Sequence, residues 1–164
     1  MGVAVDAASR GYSVCLLERG DFGQGTSSRS TKLIHGGVRY LEQGNIPLVM
    51  ESLHERGLLR QNAPHLVEEL PFIIPDYAWW EKPFYSIGMK VYDVLARRYG
   101  FSPSEILSRE EVLVRLPTIR SDDLLGGTVY YDGQFDDARL LINLASTATE
   151  QEPTVLNHMP VIRL

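Results

Sequence analysis

The 164-residue sequence is poor in several things, and each shortage excludes a class of protein. It has one cysteine, Cys15, so neither an internal disulfide nor a cysteine-based zinc centre can form. It has no excess of cations: 16 Lys and Arg stand against 21 Asp and Glu, a net charge of -5, which is the wrong sign for a broad nucleic-acid surface. No apolar run approaches the ~20 residues of a membrane-spanning helix, and no secretory leader opens the chain. Histidines are few and scattered (His35, His54, His65 and His158), without metal-ligand spacing. What remains is ordinary for a globular protein, with 44% hydrophobic and 23% charged residues, and enough chain to bury a core.

The local patterns alternate between helix and strand. Val3 to Arg10 is rich in small residues and is followed by Gly11, placed for a left-handed helix end. Ser13 to Leu17 predicts a buried strand, with Cys15 in its core and Glu18 at its end. Gly20 to Arg29 is a Gly, Ser and Thr loop. Helices are expected over 46–61 and 83–98, the second with Ile87, Val91, Val94 and Leu95 as its apolar stripe. A short strand is expected between Pro71 and Pro75. Ser108-Arg-Glu-Glu111 spells a capping box, and 127–131 a strand closed by an Asp132-Gly133 turn. Asp136 is placed to cap an amphipathic helix over 136–151, and an extended segment follows from Thr154. The class is α/β, of mixed α+β character.

One segment concentrates chemistry: Gly25-Thr-Ser-Ser-Arg-Ser-Thr-Lys-Leu-Ile-His-Gly-Gly-Val-Arg-Tyr-Leu41. Its hydroxyls and backbone amides suit phosphate or ribose oxygens. Gly36-Gly37 admits a flat ligand close to the backbone. Arg39 offers a planar fork for an anion and Tyr40 a phenolic donor. By composition alone, a polar loop capping the next helix fits as well. Glu18 at a strand end is placed either as a ribose acceptor in a βαβ unit or as a plain surface carboxylate.

The same segment closely resembles the FAD-dependent, quinone-linked glycerol-3-phosphate dehydrogenase family. Val14-Cys-Leu-Leu-Glu-Arg-Gly-Asp-Phe22, Leu53-His-Glu-Arg56, Ala63-Pro-His-Leu66, Trp79-Trp80, Tyr130-Tyr-Asp-Gly-Gln134 and Asp136-Asp-Ala-Arg139 extend the resemblance in family order. It implies a partial FAD-binding Rossmann-like domain with part of a β-sheet substrate domain. The expected division is 1–62 and 136–164 for the FAD-binding part and 63–135 for the substrate part. The resemblance makes Glu18, Gly25, Thr26, Ser27, Ser28, Lys32, Leu33, His35, Gly36 and Gly37 cofactor-binding, and Arg39 and Tyr40 catalytic, with no metal. It implies oxidation of sn-glycerol 3-phosphate by hydride transfer to FAD, with electrons passed to a membrane quinone. Peripheral association with the inner face of the cell membrane follows, or with the mitochondrial inner membrane in a eukaryote. On this basis the sequence is expected to be an N-terminal fragment, inactive alone, with the Gly-rich fingerprint before it and the general base beyond Leu164. An FAD-dependent amine or amino-acid oxidase and a non-functional remnant are the alternatives. Trp79-Trp80 is expected to pack in a core or domain interface, with a membrane-interface belt as the other possibility.

Overall fold

The computed structural model describes residues 1–96, 101–151 and 153–163, with the backbone alone at Arg39 and Glu42. Two compact units emerge: residues 1–32 with 135–164, and residues 33–134.

The first unit joins a helix α1 (Gly2–Ser9), a strand β1 (Cys15–Leu17), a single 3-10 turn (Thr26–Ser28), a helix α6 (Asp137–Glu150) and a strand β6 (Thr154–Leu156). Helix α1 ends as its sequence predicts. Gly11 takes φ +82°, its N–H donates to the Ala8 carbonyl, and the Tyr12 N–H reaches back to Ala7. That is a Schellman closure, which satisfies carbonyls the helix leaves open. The small residues of α1 let it lie close to α6, where Ala4, Ala145 and Ala148 are buried. β1 and β6 pair in parallel, Cys15 opposite Thr154 and Leu17 opposite Leu156. The expected burial of Cys15 is not what this pairing produces: Cys15 is exposed. Side chains alternate along a strand, so Cys15 and Leu17 share the open face and Leu16 turns inward.

The second unit is built on the ten-residue strand β5 (Gly126–Phe135). A two-residue strand β2 (Leu33–Ile34) pairs antiparallel with its far end, Ile34 opposite Gly133. A strand β4 (Glu105–Ser108) pairs with its near end, Ser108 opposite Gly126. β3 (Val67–Asp76) is β5's other neighbour. Three helices complete the unit: α2 (Val38–Glu42), α3 (Ile46–Asn62) and α4 (Glu81–Ala96), with a short α5 (Arg109–Arg115) after β4. One core gathers Leu107, Val112, Leu124 and Val129; a second joins Val49 and Leu53 of α3 to Tyr92 of α4.

Several elements differ from expectation for physical reasons. β3 runs straight through Pro71 and Pro75. The two prolines lie four residues apart, so their missing N–H groups fall on one side, and β3 ends the strand order, where such a gap is tolerated. Asp132-Gly133 is not a turn, because β5 continues through both. Gly133 is there for close approach: a Cβ would stand 3.1 Å from the Ile34 carbonyl oxygen. Segment 33–62 packs within the second unit, where β2 is bonded to β5 and α3 packs on α4. Helix α4 is described as far as Ala96, and positions 97 and 98 of the expected helix lie outside the described residues.

The Ser108 cap is complete. Its Oγ accepts the Glu111 N–H at 3.2 Å, while the Glu111 carboxylate accepts the Ser108 N–H at 2.8 Å. Replacing Ser108 by Ala is expected to destabilise the protein by about 1 kcal/mol, read as a lower urea midpoint at unchanged slope.

Candidate functional site

The residues singled out by the sequence fall in both units. In the first, Glu18 stands just after β1, at the carboxyl end of a parallel strand, where open α/β sheets place their ligands. Its backbone is held on both sides by β6 and its extension: the Glu18 N–H donates to Leu156 and the Glu18 carbonyl accepts from Met159. One carboxylate oxygen accepts the Gly20 N–H at 2.8 Å; the other makes no hydrogen bond among the described residues. Gly25 caps the 3-10 turn, and no atom lies within 4 Å of where its Cβ would be. The Thr26 and Ser27 side chains beside it are exposed, while the Ser28 hydroxyl donates to the Gly23 carbonyl. Gly23 takes φ +77°, a left-handed conformation suited to glycine.

Lys32 is more committed than its sequence position suggests. Its ammonium donates to the Ser28 carbonyl at 3.0 Å and forms an ion pair with the buried Asp137. Asp137 also accepts the Ser30 N–H and hydroxyl. This carboxylate at the first turn of α6 thus ties the hydroxyl-rich loop to the helix. The bond from Lys32 holds the Asp137 carboxyl well below its usual range, opposed by burial and helped by Ser30. Asp136 is the N-cap, accepting the Arg139 N–H at 3.0 Å.

In the second unit Leu33 to Tyr40 form a continuous path. Leu33 is half-buried in β2 and His35 is exposed. Gly36 and Gly37 are both buried. Gly37 takes φ +79° and stands as the N-cap residue of α2, a left-handed conformation suited to glycine. Tyr40 lies one turn into α2 with a 36% exposed side chain. Arg39 is on the same helix; its side chain, and so the role expected of it, lies outside the described residues. A groove of about 660 Å³ runs beside β2, lined by Leu33, Ile34 and His35 on one side and by Ser52, Glu55 and Arg56 of α3 on the other.

Three residues that the sequence does not mark as site residues hold this path, one of them, Asp132, expected only in a turn. Asp132, 2% exposed, accepts the Gly36 N–H with both oxygens, at 3.0 and 3.3 Å. Arg56, 1% exposed, donates from Nη1 to Asp132 and to the Tyr92 hydroxyl, the latter at 3.1 Å. Its guanidinium carbon, Cζ, lies over the Phe101 ring, 4.1 Å from the centroid. Burial pushes the Asp132 carboxyl above its ordinary value, against the pull of Arg56 and the Gly36 N–H. Tyr92 is raised as well, by burial first and the Asp132 charge second. A signal for this cluster was present: Arg56 falls on the Val49-Leu53 stripe, an ionic residue in phase with the buried face of α3.

The chain belongs to the FAD dependent oxidoreductase family, whose model matches residues 1–164. It is 45% identical to mitochondrial glycerol-3-phosphate dehydrogenases of Rattus norvegicus and Saccharomyces cerevisiae, over 99% of its own length. It spans about a quarter of those relatives, 23% and 26% respectively. Among solved structures it resembles a glycerol-3-phosphate dehydrogenase from Bacillus halodurans complexed with FAD, at 30% identity and a TM-score of 0.66, over 98% of this chain and 24% of that one. An L-alpha-glycerophosphate oxidase from Mycoplasma pneumoniae with FAD bound matches at a TM-score of 0.65 and 16% identity, over 98% of this chain and 43% of that one; that likeness concerns the fold alone. The residues present fit an FAD: Glu18 keeps a free acceptor oxygen, Gly25 leaves its backbone open, and Thr26 and Ser27 expose hydroxyls.

Asp137 gives the first unit a pH dependence of defined sign. Its carboxyl is depressed in the folded state, so its stabilisation is complete above the ordinary value of 3.8 and is lost as pH falls below it. The stability difference between the wild type and Asp137→Asn is therefore expected to be largest near neutrality and to shrink below about pH 4. Denaturation at a series of pH values measures it, and a pH-independent difference contradicts it.

Proposed function

We propose that the chain is part of a flavoprotein that oxidises sn-glycerol 3-phosphate to dihydroxyacetone phosphate and passes the electrons to a quinone. The observation that carries this is the 45% identity along 99% of the chain to glycerol-3-phosphate dehydrogenases. When bound, FAD supplies the two-electron acceptor for the hydride of the secondary alcohol. The chain's own residues bind and orient. In this reading residues 1–62 and 136–164 serve the FAD-binding domain and 63–135 the substrate domain. Glu18 accepts hydrogen bonds from the adenosine ribose, while Gly25 to Ser28 and Lys32 to Gly37 line the cofactor. The Lys32 ammonium, tied to Asp137, acts by fixing the loop rather than by reaching outward. Arg39, a planar cation, suits the phosphate of a small substrate or the developing oxyanion. Tyr40 stands beside it on α2 with its side chain partly open to solvent.

An amine or amino-acid oxidase is the competing assignment. A glycine oxidase from Geobacillus kaustophilus shares the fold at a TM-score of 0.53 and 20% identity, which bears on architecture and not on substrate.

The surface of α4 supports the membrane side of the proposal. Trp79 and Trp80 are 82% and 50% exposed, contrary to the packing expected of them. Ile87, Val91 and Val94 are exposed too, while Met89 and Tyr92 take the buried side. Phe84, Ile87, Val91 and Val94 recur every three or four residues along α4, one stripe of the helix, with Trp80 immediately before its start. Phe84 and Ile87 border an apolar hollow of about 280 Å³ shared with Val38 and Leu41 of α2. Aromatic and aliphatic side chains in one exposed stripe suit the headgroup boundary of a bilayer. No helix among the described residues is long and apolar enough to cross one.

Three outcomes are expected of the holoenzyme. Under anaerobic conditions sn-glycerol 3-phosphate bleaches the flavin and D-amino acids do not; the reverse pattern removes the proposed substrate. Arg39→Ala raises the apparent KM for glycerol 3-phosphate at least ten-fold, and unchanged kinetics take Arg39 out of the site. Trp80→Ser with Ile87→Ser lowers co-sedimentation with phospholipid vesicles several-fold while turnover with a soluble electron acceptor persists.

A further inference from the structure

We infer that Asp132 is a positioning residue for the proposed reaction, setting through the Gly36 amide where α2 presents Arg39 and Tyr40. The inference rests on the functional reading above and assigns a role to a residue that reading leaves unused. Gly36 is gripped from two directions. On one side Asp132 accepts its N–H with both carboxylate oxygens. On the other its Cα is pressed against α3 and α4, since a Cβ would lie 2.0 Å from the Tyr92 hydroxyl oxygen and 2.6 Å from Leu53. The carboxylate is itself held, because Arg56 bridges it to Tyr92. Asp132 is also fixed along the chain, as the adjacent Gly133 is paired to Ile34 in the sheet.

From Gly36 to α2 there is no slack. Gly37, at φ +79°, is the residue on which the helix starts. The Tyr40 N–H donates to the Gly37 carbonyl at 2.8 Å, and the Tyr40 ring stands 2.7 Å from where a Gly37 Cβ would be. Movement at Gly36 therefore becomes movement of α2. Misplacement of a binding group by about 1 Å can cost on the order of a hundred-fold in rate, so a lost anchor two residues upstream is consequential.

A bare ion pair between Arg56 and Asp132 could serve stability alone, and paired variants of the holoenzyme separate the two roles. Arg56→Met with Asp132→Asn removes both charges and keeps an acceptor for Gly36. Arg56→Met with Asp132→Leu removes both charges and the acceptor, at similar volume. At equal flavin content, the Leu pair is expected to show a KM for glycerol 3-phosphate at least ten-fold above that of the Asn pair, a smaller change in kcat, and amide exchange at Gly36 at least ten-fold faster. Equal KM and equal exchange in the two pairs overturn the inference. Wild-type exchange decides if a pair does not fold. A Gly36 amide as slow as the buried strand β5 supports the inference, and one as fast as the exposed Gly44 refutes it. Failure of glycerol 3-phosphate to reduce wild-type flavin would instead overturn the functional reading, leaving the exchange comparison to report on the grip itself.

Discussion

Asp132 is the point on which the second unit turns. A single carboxylate, shut away from water, accepts a backbone N–H from the glycine pair and a guanidinium N–H from α3. Burying a charge without a partner is costly, and removing one half of such a pair exposes that cost. The sheet strand β5, the helix α3 and the loop leading to α2 are therefore bound to one another by a group that none of them can release singly. Tyr92 adds α4 to the same knot through its hydroxyl. Around it the packing is apolar and close: Val49 and Leu53 are fully buried beside Tyr92.

The first unit uses the same device at lower cost. Asp137 joins the loop before β2 to the start of α6, again by accepting a backbone N–H, a hydroxyl and a cation at once. Lys32 is partly exposed, and so the pair is solvated on one side. In both units, an aspartate from the Tyr130-to-Arg139 stretch organises the segment between Gly25 and Tyr40. The two regions lie about a hundred residues apart in the sequence. One supplies the hydroxyls, backbone amides and cation, and the other supplies the carboxylates that hold them in place.

Local signals were legible wherever a residue's role is settled by its near neighbours. The Gly11 helix end, the Ser108 capping box and the Asp136 cap all form within five residues of sequence, and the structure builds each of them. The extents of β3 and β5 were not legible. Two prolines and an Asp-Gly pair are turn signals locally, but pairing with a long neighbour strand overrides them. The burial expected of Cys15 and of Trp79-Trp80 failed for a related reason. Apolar character says that a side chain favours burial, and not whether a partner covers that face.

The sequence by itself determined the family, the cofactor that family uses and the alternation of helix and strand. These depend on residue order along the chain, which any reader of the sequence possesses. The tertiary structure alone decided that Lys32 is spent on Asp137, that Trp79 and Trp80 face outward, and that Asp132, Arg56 and Tyr92 meet at Gly36. Contacts between residues 36, 56, 92 and 132 arise from the pairing of β2 with β5 and the packing of α3 on α4. No local pattern encodes such a meeting, because a buried hydrogen bond belongs to the fold that excludes water from it.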